Sequence, residues 1–506
     1  MKGGEDYLNL IDRTIGVFSP RAAYNRARWR DAYRSYYDSG SLDRPNTAWT
    51  AVNSTAEQTD KVQRDIIRAR ARDLERNSDM AESIINSFER NIIGTGMTLQ
   101  AKTKKSDNSE NEELNNQIEE LWEEWCRAPN IDITGQQCFK EMQRMAVRRL
   151  QVDGGIIFVK VYTKGGLLPF KLQIREVDDL DNLKNTYGSD KKQRIVGGVE
   201  LDEYNKPTAY YLKKYTPDGI YLGESERIPA QRVIFLWDKK RPTQVREISP
   251  MARTVQRVKD VDEFTEAISV KERILACLSV FIKKNAPGNS LGRNGPKIDR
   301  KSGYPTRTLA PGMIQELEPG EDAFVVNPSG QASNAKEFIT TQQRLAGSGQ
   351  GISYEAASRD MSQVNYSSAR QGLLEDQKTY TIMQEFIKDH LCHEVYTEFV
   401  ISAFLAGKLN IPDFWQNKRN YLRHTWITPG WSWIDPLKEV KANKEAIDSN
   451  MDTLANVCGA RGMDWKEVMQ QRAKEKQFLK ELGIDGGDEV GGDEKAGKGN
   501  TSAKDS

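Results

Sequence analysis

Histidines beside an acidic residue are the first side chains in this chain that could bind a metal ion. The 506 residues include three histidines, and two of them, His390 and His393, stand three residues apart just before Glu394. On a helix this spacing places three possible ligands near one face. The H-E-x-x-H pattern that would make such a site specific is missing. We therefore predict a polar helix face here and no bound metal.

Clustered carboxylates form a second candidate for chemistry, because Mg²⁺ prefers oxygen ligands. The clusters are Asp178-Asp179, Asp181 and Asp202-Glu203. They lie in turn-like sequence between predicted strands, where solvated acidic loops are the more common outcome.

One segment resembles a phosphate-binding loop. Gly492 is followed at the expected spacing by Gly497-Lys498, but Gly499 replaces the Ser or Thr that should come next, and no strand precedes the segment. No catalytic residue and no cofactor are predicted, and the chain is not expected to be an enzyme.

Composition narrows the class of protein further. Lys plus Arg (74) nearly balances Asp plus Glu (73), and the formal net charge is +1, whereas a free-standing nucleic-acid clamp is usually clearly basic. Apolar residues make up 37% of the chain and the mean hydropathy is −0.70. A single compact globule of this size would bury more apolar surface. We expect an elongated subunit or one completed by its neighbours.

The spacing of the cysteines and the length of the apolar runs indicate the cellular compartment of the protein. The five cysteines form no CxxC pair, so we expect reduced thiols. No apolar run approaches the ~20 residues that span a bilayer, and Met1–Asp6 has no apolar signal-peptide core. We therefore expect a protein made and kept inside a cell, without a membrane partner.

The first sixty residues interleave arginines with aromatics. Two interpretations stay open: stacking on nucleic acid, or an arm that packs on another subunit. The second is favoured because Asp31 and Asp38 lie among the arginines.

From residue 61 to 248 the patterns predict an α+β unit, with helices first and a mostly antiparallel sheet after them. Asn77-Ser78-Asp79 offers a cap between two helices. The predicted helices are 59–91, Glu112–Cys126 and Phe139–Val152, and the predicted strands are Ile156–Tyr162, Phe170–Ile174, Ile195–Leu201, Ala209–Tyr215 and Arg232–Leu236.

Two very long helices are predicted in the second half of the chain. The first begins at Ser249-Pro250 and continues to residue 284, about 35 residues, because neither Gly nor Pro interrupts it before Pro287. The second runs from Ser367 to Leu405 and ends before Gly407.

Several shorter segments complete the prediction. They are a small β module at 285–331, a helix from Asn334 to Ala346 broken by glycines at 347–351, a polar loop at Ile352–Tyr366, helices at Pro436–Asn450, Met451–Cys458 and Asp464–Leu482, and a tail beyond Gly483 without regular structure.

The stretch from Gly349 to Arg370, GQGISYEAASRDMSQVNYSSAR, resembles the signature of portal proteins from lambda-type tailed bacteriophages. Other blocks recur in the order of that family: Arg70–Asn77 leading into Ile93–Gly96, Pro311-Gly312, Leu317–Glu321 and Trp431–Glu439. Ala356-Ala357, where the family more often has a leucine, and Gln350 in the glycine run are mild departures.

The resemblance implies a portal-type fold, α+β and mainly helical, that assembles as a ring. Its parts would be an arm packing on neighbours (1–60), a wing (61–248), a first stem helix (249–284), a clip (285–331), a second stem helix (332–350), a tunnel loop (351–366), a spine helix with the rest of the wing (367–435), crown helices (436–482) and a tail (483–506).

The same resemblance implies three groups of functional residues. The tunnel loop would face DNA through Ser358, Arg359, Asp360, Met361, Ser362 and Gln363. The stem would line a channel with Lys259, Asp262, Glu263, Glu266, Lys271 and Arg273, with Glu272 helping to offset the basic members. The clip would dock a motor or adaptor through Arg293, Lys297, Arg300, Lys301 and Arg307. An alternative role for Arg359 is an ion pair between subunits, with Asp360 or a neighbour.

The implied function is a dodecameric channel at one capsid vertex. Double-stranded DNA would be packaged through it by a terminase motor and later ejected. Expected partners are further copies of the chain, the terminase large subunit, major capsid and scaffolding proteins, and head-tail connector proteins; expected localisation is the virion, after assembly in the host cytoplasm. The rival interpretations are a head-tail adaptor without a channel and a metal-dependent packaging nuclease or ATPase.

Overall fold

The computed structural model divides into two units, Met1–Gln58 and Thr59–Ser506. It describes residues 53–105, 109–186, 194–216, 218–277, 280–282, 314–316, 335–362, 365–431 and 436–481, together with residues 14, 15, 17–22 and 26. Most of the predicted arm therefore lies outside the described residues, as do the tail and nearly all of the clip.

Four amphipathic helices open the second unit. Ser78 separates the first two and accepts a hydrogen bond from the Ala81 amide (3.3 Å), as its sequence context predicts. The fourth helix has the predicted bounds, because Glu141 accepts from the Cys138 amide (2.8 Å) at its start and Gly154 adopts a φ of 87° after its end. The helices are α1 (Arg64–Asn77), α2 (Asp79–Ile92), α3 (Glu112–Trp125) and α4 (Phe139–Val152); one-turn helices occur at Ala56–Asp60, Ala128–Ile131 and Lys418–Tyr421.

The strands that follow are β2 (Gly155–Tyr162), β3 (Phe170–Arg175), β4 (Arg194–Val196), β5 (Val199–Leu201), β6 (Pro207–Tyr215), β7 (Tyr221–Pro229) and β8 (Val233–Trp237). They build two antiparallel sheets, of order β3-β2-β8 and β4-β5-β6-β7. Where one strand was predicted at Ile195–Leu201, Gly197 and Gly198 take φ values of 54° and 82° and divide it into the two strands β4 and β5. β7 was not predicted.

β2 is buried on both faces. Its alternate residues Ile156 and Phe158 belong to the large helical core, whereas Ile157 and Val159 join a smaller cluster with the four-stranded sheet. This explains why its sequence from Ile156 to Val159 is continuously apolar rather than alternating.

The first predicted stem helix is shorter than expected. Residues Pro250–Arg253 form a 3₁₀ turn, and α5 covers Val255–Cys277, 23 residues rather than about 35. Beyond it, β9 (Val280–Ile282) pairs in parallel with β10 (Ile314–Glu316). The prediction to residue 284 was wrong because β-branched residues favour an extended chain there without any Gly or Pro to mark the change.

The second stem helix is longer than its glycines suggest. α6 (Ala335–Gln350) continues through Gly347 and Gly349, and only Gly351, with φ +77°, ends it. A Cβ at Gly347 would lie 3.0 Å from the Ile352 carbonyl oxygen and 3.2 Å from that of Ser353. Gly347 thus permits close packing of the returning chain. Asn334, the predicted cap, lies outside the described residues.

The polar loop contains an unpredicted helix, α7 (Tyr354–Ser358), and the long spine helix follows it as predicted. This rod consists of α8 (Tyr366–Ile387), a π-helical turn (Lys388–Cys392) and α9 (His393–Leu405). At 1.5 Å per residue its length is about 60 Å. Gly407, with φ 70°, ends it as expected.

The remaining elements are two short strands and three helices. β1 (Thr98–Ala101) pairs antiparallel with β11 (His424–Ile427), which joins segments more than 320 residues apart in sequence. Neither strand was predicted. The C-terminal helices are α10 (Pro436–Asp448), α11 (Leu454–Gly459) and α12 (Trp465–Glu481), close to the predicted crown helices.

Aromatic side chains fill the centre of the helical core. The Trp122 ring lies edge-on to Phe399 at 5.0 Å and to Trp426 at 5.6 Å, and Trp125 stacks on Phe170 at 5.3 Å. The core thereby joins α3, the spine helix, the three-stranded sheet and the β1–β11 pair. None of the helices in the described part of the chain is long and apolar enough to cross a membrane.

Candidate nucleic-acid interface

The predicted tunnel loop begins as a capped turn fixed to the spine helix. After Gly351 the chain turns, and the Ser353 hydroxyl accepts from the Ala356 amide (3.2 Å) as the N-cap of α7. The Ser353 amide and hydroxyl both donate to Asp376 on α8, at 2.7 and 2.6 Å. Thr379 also donates to the Gly351 carbonyl oxygen (2.8 Å).

Asp376 is the buried end of this connection. Its exposed fraction is 4%, and burial raises the pKa of its carboxyl group, while the hydrogen bonds from Ser353 act in the opposite direction. The start of the loop therefore has a fixed position relative to the spine helix.

Arg359 ends α7 in the left-handed conformation, with φ 58°, and its amide donates to the Glu355 carbonyl oxygen (2.9 Å). The Arg359 guanidinium has no hydrogen bond or ion pair with any residue that the structure describes. A cavity of about 320 Å³ lies beside it, between α2 and α8, and is also lined by Arg90 and Met361. This arrangement leaves a cation available for a ligand.

Asp360 does not pair with Arg359 within the chain. Its carboxylate accepts from the Ser362 amide (2.9 Å) and the Tyr354 hydroxyl (3.0 Å), and hydrogen bonds from Ser362 and Tyr354 hold its pKa below the usual range. The Ser358 hydroxyl donates to the Tyr354 carbonyl oxygen (2.8 Å) and accepts from the Asp360 amide (3.2 Å). Ser358, Asp360 and Ser362 thus shape the loop, and Gln363 lies outside the described residues.

Among the loop residues that the structure describes, Met361 is the most exposed apolar side chain, with 62% of its surface accessible. It stands next to Arg359, so a cationic and an apolar side chain lie together at the tip.

The predicted stem residues fall into two groups. Lys259 and Glu263 form an exposed ion pair of 3.3 Å, and Glu266, Glu272 and Arg273 are also exposed. Lys271 is half-buried. Asp262 differs from these, because it contacts Ser78 at the α1–α2 junction and burial raises its pKa. Its position within the chain makes it a packing residue of this junction.

α5 and α6 pack against each other. Phe264 lies edge-on to Phe338 with ring centroids 4.7 Å apart, and Gln350 donates to the Thr254 hydroxyl (2.9 Å). This is the adjacency expected of two helices that flank one insertion. The insertion's basic residues, Arg293, Lys297, Arg300, Lys301 and Arg307, lie outside the described residues.

The carboxylate clusters are partly engaged by arginines rather than solvated as predicted. Asp178 pairs with Arg68 (3.0 Å) and Arg72 (2.6 Å), and Asp179 pairs with Arg175. Asp181 is buried and accepts from the Leu183 amide (3.2 Å). Asp202 accepts from the Tyr204 and Lys206 amides (2.9 and 2.8 Å).

The side chains of His390, His393 and Glu394 do not come together as a metal site either. Glu394 pairs with the buried Lys160, whereas His393 stacks on His424 with 3.2 Å between His393 Nδ1 and His424 Nε2. Among the described residues no group of three His, Cys, Asp or Glu side chains could hold a metal ion. The segment with the incomplete phosphate-loop pattern lies outside them.

Sequence reasoning missed a chain of buried ion pairs beneath the first stem helix. Arg246 and Glu247 are fully buried and paired (2.9 Å), and Glu247 also accepts from Arg68 (3.0 Å). Arg72 extends the chain to Asp153 (2.7 Å). The i, i+4 spacing of arginines on α1 was a visible signal, but their partners lie over 80 residues away.

The matching family and two curated relatives of this chain are phage portal proteins. The family described as "Phage portal protein, lambda family" matches residues 42–384. The probable portal protein of Halomonas phage phiHAP-1 is 26% identical over 448 residues, covering 87% of this chain and 86% of the relative. Portal protein B of Escherichia phage lambda is 22% identical over 450 residues, covering 82% and 84% respectively.

Among solved structures, a chain described as "Neck of empty GTA particle computed with C6 symmetry" aligns with a TM-score of 0.35 and 13% identity, over 63% of this chain and 81% of that one. A chain from the virion of a native gene transfer agent particle aligns with a TM-score of 0.31 and 11% identity, over 75% and 97%.

The family match spans well over half of the chain, so the protein belongs to the lambda family of phage portal proteins. It is a structural component of the particle of a tailed phage.

Proposed function

We propose that twelve copies of this chain form a ring around a channel through which double-stranded DNA enters and leaves the phage head. The observation that carries this proposal is the apolar surface that the long helices leave uncovered. Ile382 on α8 is 73% exposed, and Leu345 and Phe338 on α6 are 44% and 39% exposed. Neighbouring copies along these helices would cover such residues.

A simple estimate supports a usable channel. Twelve helices spaced about 10 Å apart give a circumference of about 120 Å and an axis-to-axis diameter of about 38 Å. Subtracting one helix diameter leaves an opening of about 28 Å, wide enough for a duplex. Fewer than about nine copies would close it.

The charge balance suits a conduit that releases DNA. Every phosphate neutralised by a fixed cation makes release harder, most of all at low salt. A net charge of +1 per chain avoids strong retention, and acidic side chains such as Glu263 and Glu266 accompany Lys259 on α5. Arg359 is then a local contact to phosphate at the loop tip.

The roles proposed for the clip, the wing and the docked motor are those that the organisation of the portal family implies. The clip would dock the terminase large subunit and later the connector proteins, while capsid and scaffolding proteins would surround the wing. The chain itself would catalyse no reaction, and ATP hydrolysis would belong to the docked motor. Assembly would take place in the host cytoplasm.

Averaged electron micrographs of the purified protein test the ring directly. We expect annular particles with a central opening, and we expect Ile382→Asp to reduce them strongly because it places a charge where a neighbour packs. Thr381→Asp, an exposed polar position one residue away, is the matched control and should leave the rings intact. A folded monomer at every concentration and salt tried would refute the proposal.

A further inference from the structure

A basic cleft of about 210 Å³ lies between the two antiparallel sheets, where β2 and β3 face β6 and β7. Five cationic side chains line it against a single carboxylate, that of Glu226. The apolar side chains at its floor, Val159 and Leu212, are only 4% and 2% exposed, so charge is what the cleft offers to a ligand. The cations are Arg175 on β3, Lys213 and Lys214 on β6, Arg227 on β7 and Arg232 just before β8.

Two of the arginines are held in place by carboxylates and still have donors to spare. Arg227 donates through Nε and Nη2 to the buried Glu200, both at 2.8 Å. Arg175 pairs through Nε with Asp179, and its Nη2 donates to the Lys213 carbonyl oxygen (2.9 Å). Nη1 of each arginine has no hydrogen-bond partner among the described residues, and the two side chains are 47% and 26% exposed, so a ligand can reach them. Because both guanidinium groups are already ordered, binding an anion costs little side-chain entropy.

The other three cations have no ion pair within the described part of the chain. Lys214 is exposed and makes no hydrogen bond there. Arg232 is exposed and makes only two long hydrogen bonds of 3.4 Å to one main-chain carbonyl oxygen, and Lys213 likewise donates to a main-chain carbonyl oxygen (3.1 Å). Glu226 is the only carboxylate beside them in the cleft. An anionic ligand would relieve the repulsion between these cations.

The chain itself contains an acidic segment of complementary charge. Residues 485–494 include five carboxylates and no cationic side chain: Asp485, Asp488, Glu489, Asp493 and Glu494. The segment lies outside the described residues and follows α12, which ends at Glu481. Residues 482–494 can span up to about 45 Å when extended. A tether of this length gives the carboxylates access to a site remote from α12, on the same chain or on an adjacent copy.

We propose that the acidic segment 485–494 binds in this basic cleft. Its carboxylates pair with Lys214 and Arg232 and accept hydrogen bonds from the free Nη1 groups of Arg175 and Arg227. Hydrogen bonds between a guanidinium and a carboxylate are among the stronger ones in proteins because both groups are charged. A peptide with several carboxylates can engage cations that belong to different strands at the same time.

Two other anionic ligands match the cleft less well. A DNA duplex is too bulky to enter a cleft of about 210 Å³, so its phosphates would reach only the side chains at the rim. A single phosphate ion would engage one or two of the five cations and leave the others unpaired. This inference does not depend on a ring or on a DNA channel.

Fluorescence anisotropy with a labelled peptide tests the proposal. The probe is the segment 484–494, acetylated and amidated, at low salt. It is titrated with the full chain and with a variant that ends at Leu482 and therefore retains α12. We expect the shortened chain to bind the peptide more tightly, by about fivefold or more, because its own segment no longer competes for the cleft. Equal affinities would show that the segment does not occupy the cleft and would overturn the proposal.

A double variant of the cleft locates the binding site. We expect Lys214→Gln/Arg232→Gln to weaken peptide binding by about tenfold, in the full chain and in the shortened one, because two ion pairs are lost. Both side chains are exposed, so folding should not change. The matched control is Lys408→Gln/Arg419→Gln, which removes the same charge from exposed positions after the spine helix and should change affinity less than about twofold.

Further outcomes would also contradict the proposal. They are no binding of the peptide by the shortened chain and an equal loss of affinity in the Lys408→Gln/Arg419→Gln control. Displacement of the peptide by millimolar inorganic phosphate would identify a general anion site, and displacement by a short DNA duplex would identify a nucleic-acid site. Either displacement would rule out the acidic segment as the specific occupant.

Discussion

Arg359 combines an unusual backbone conformation with an unpaired charge. Its φ of 58° is costly for any residue with a Cβ, and the cost is offset by Tyr354 and Ser358, which hold the adjoining Asp360. The loop thus presents one guanidinium beside an open cavity. A merely structural arginine would be expected to use its guanidinium within the chain.

We expect Arg359→Ala to lower the amount of packaged DNA while rings still form. Alanine and arginine have the same difficulty at positive φ, so the substitution adds no backbone strain. The measurement is DNA per particle, with ring formation checked by electron microscopy. Arg359→Lys, which keeps the charge, is the control and should package nearly normally. Normal packaging by the alanine variant would remove the proposed role.

His424 gives a prediction about pH. Its Nδ1 donates to the Leu422 carbonyl oxygen (2.8 Å), so its Nε2 is free to accept from His393. Burial lowers the pKa of His424 from its ordinary 6.5 to about 4; the hydrogen bond to Leu422 opposes this shift, and electrostatic repulsion from His393 adds to it. The unfolded chain therefore binds a proton at a higher pH than the folded chain does.

We accordingly expect the free energy of unfolding to be highest above about pH 6.5 and to fall as the pH drops toward 4, by roughly 2–3 kcal/mol at the lower end. Urea unfolding at pH 7.5 and pH 5 measures this loss. His424→Gln should reduce the difference in the free energy of unfolding between the two pH values, while His390→Gln, at an exposed position on the spine helix, should not. An unchanged difference in His424→Gln would contradict the assignment.

At the scale of elements, the sequence predicts a boundary well where local chemistry sets it. α4 has its predicted bounds because an apolar stripe is closed by a capping carboxylate at one end and by Gly154 at the other. α5 has no such signal at Cys277, and the strand that follows it, β9, pairs with β10 inside the predicted clip. β7 was missed because nearly all of its residues are exposed and show no alternation.

The candidate site, too, can be predicted from the sequence only where residues close along the chain determine it. The loop itself is visible in sequence as a polar stretch between helices. The Ser353–Asp376 connection and the Arg68–Glu247 pair are not, because they join residues 23 and 179 positions apart. Only tertiary structure brings such groups together, and one sequence contains no record of it.

Two glycines in neighbouring helices should respond oppositely to alanine. Gly372 on α8 has room for a Cβ, whose nearest neighbour would be Ser353 at 3.7 Å, so Gly372→Ala should stabilise the fold by about 0.5–1 kcal/mol. Gly347 on α6 has the same gain in helix propensity, but its Cβ would press on two backbone carbonyl oxygens at 3.0 and 3.2 Å.

We expect Gly347→Ala to be destabilising because those oxygens belong to the turn that starts the loop and cannot move independently of Asp376. The midpoint of urea denaturation compares the two variants. Stabilisation of similar size by both would show that the turn is free to move.

At the scale of the whole molecule, the described residues of the second unit share a large apolar core, whereas α6 and α8 keep large apolar side chains exposed. The charged layer of Arg246, Glu247 and Arg68 is fully or almost fully buried at the base of α5. Removing one partner of such a buried pair leaves a charge unpaired, which is far more costly than an exposed pair is worth. This layer fixes the chain just before α5 to the sheet region, because Arg246 also donates to the Gly197 and Val177 carbonyl oxygens, whereas α5 from Asp262 to Arg273 is half-buried or exposed.

The contrast between the well-packed start of α5 and its exposed continuation predicts that residues 285–331, the predicted clip, can be removed without unfolding the predicted wing. Replacing 285–331 with a short glycine–serine linker should leave the wing folded and rings able to form, because the apolar core and the α5–α6 contacts at Phe264–Phe338 and Thr254–Gln350 lie outside that segment. Circular dichroism and electron microscopy measure folding and ring formation. Binding of the purified terminase large subunit should be lost.

A variant with glutamine at Arg293, Lys297, Arg300, Lys301 and Arg307 keeps the segment and tests whether its charge accounts for docking. Retained docking by the deletion variant would place that interface elsewhere, and loss of rings would make the clip a part of the assembly contact.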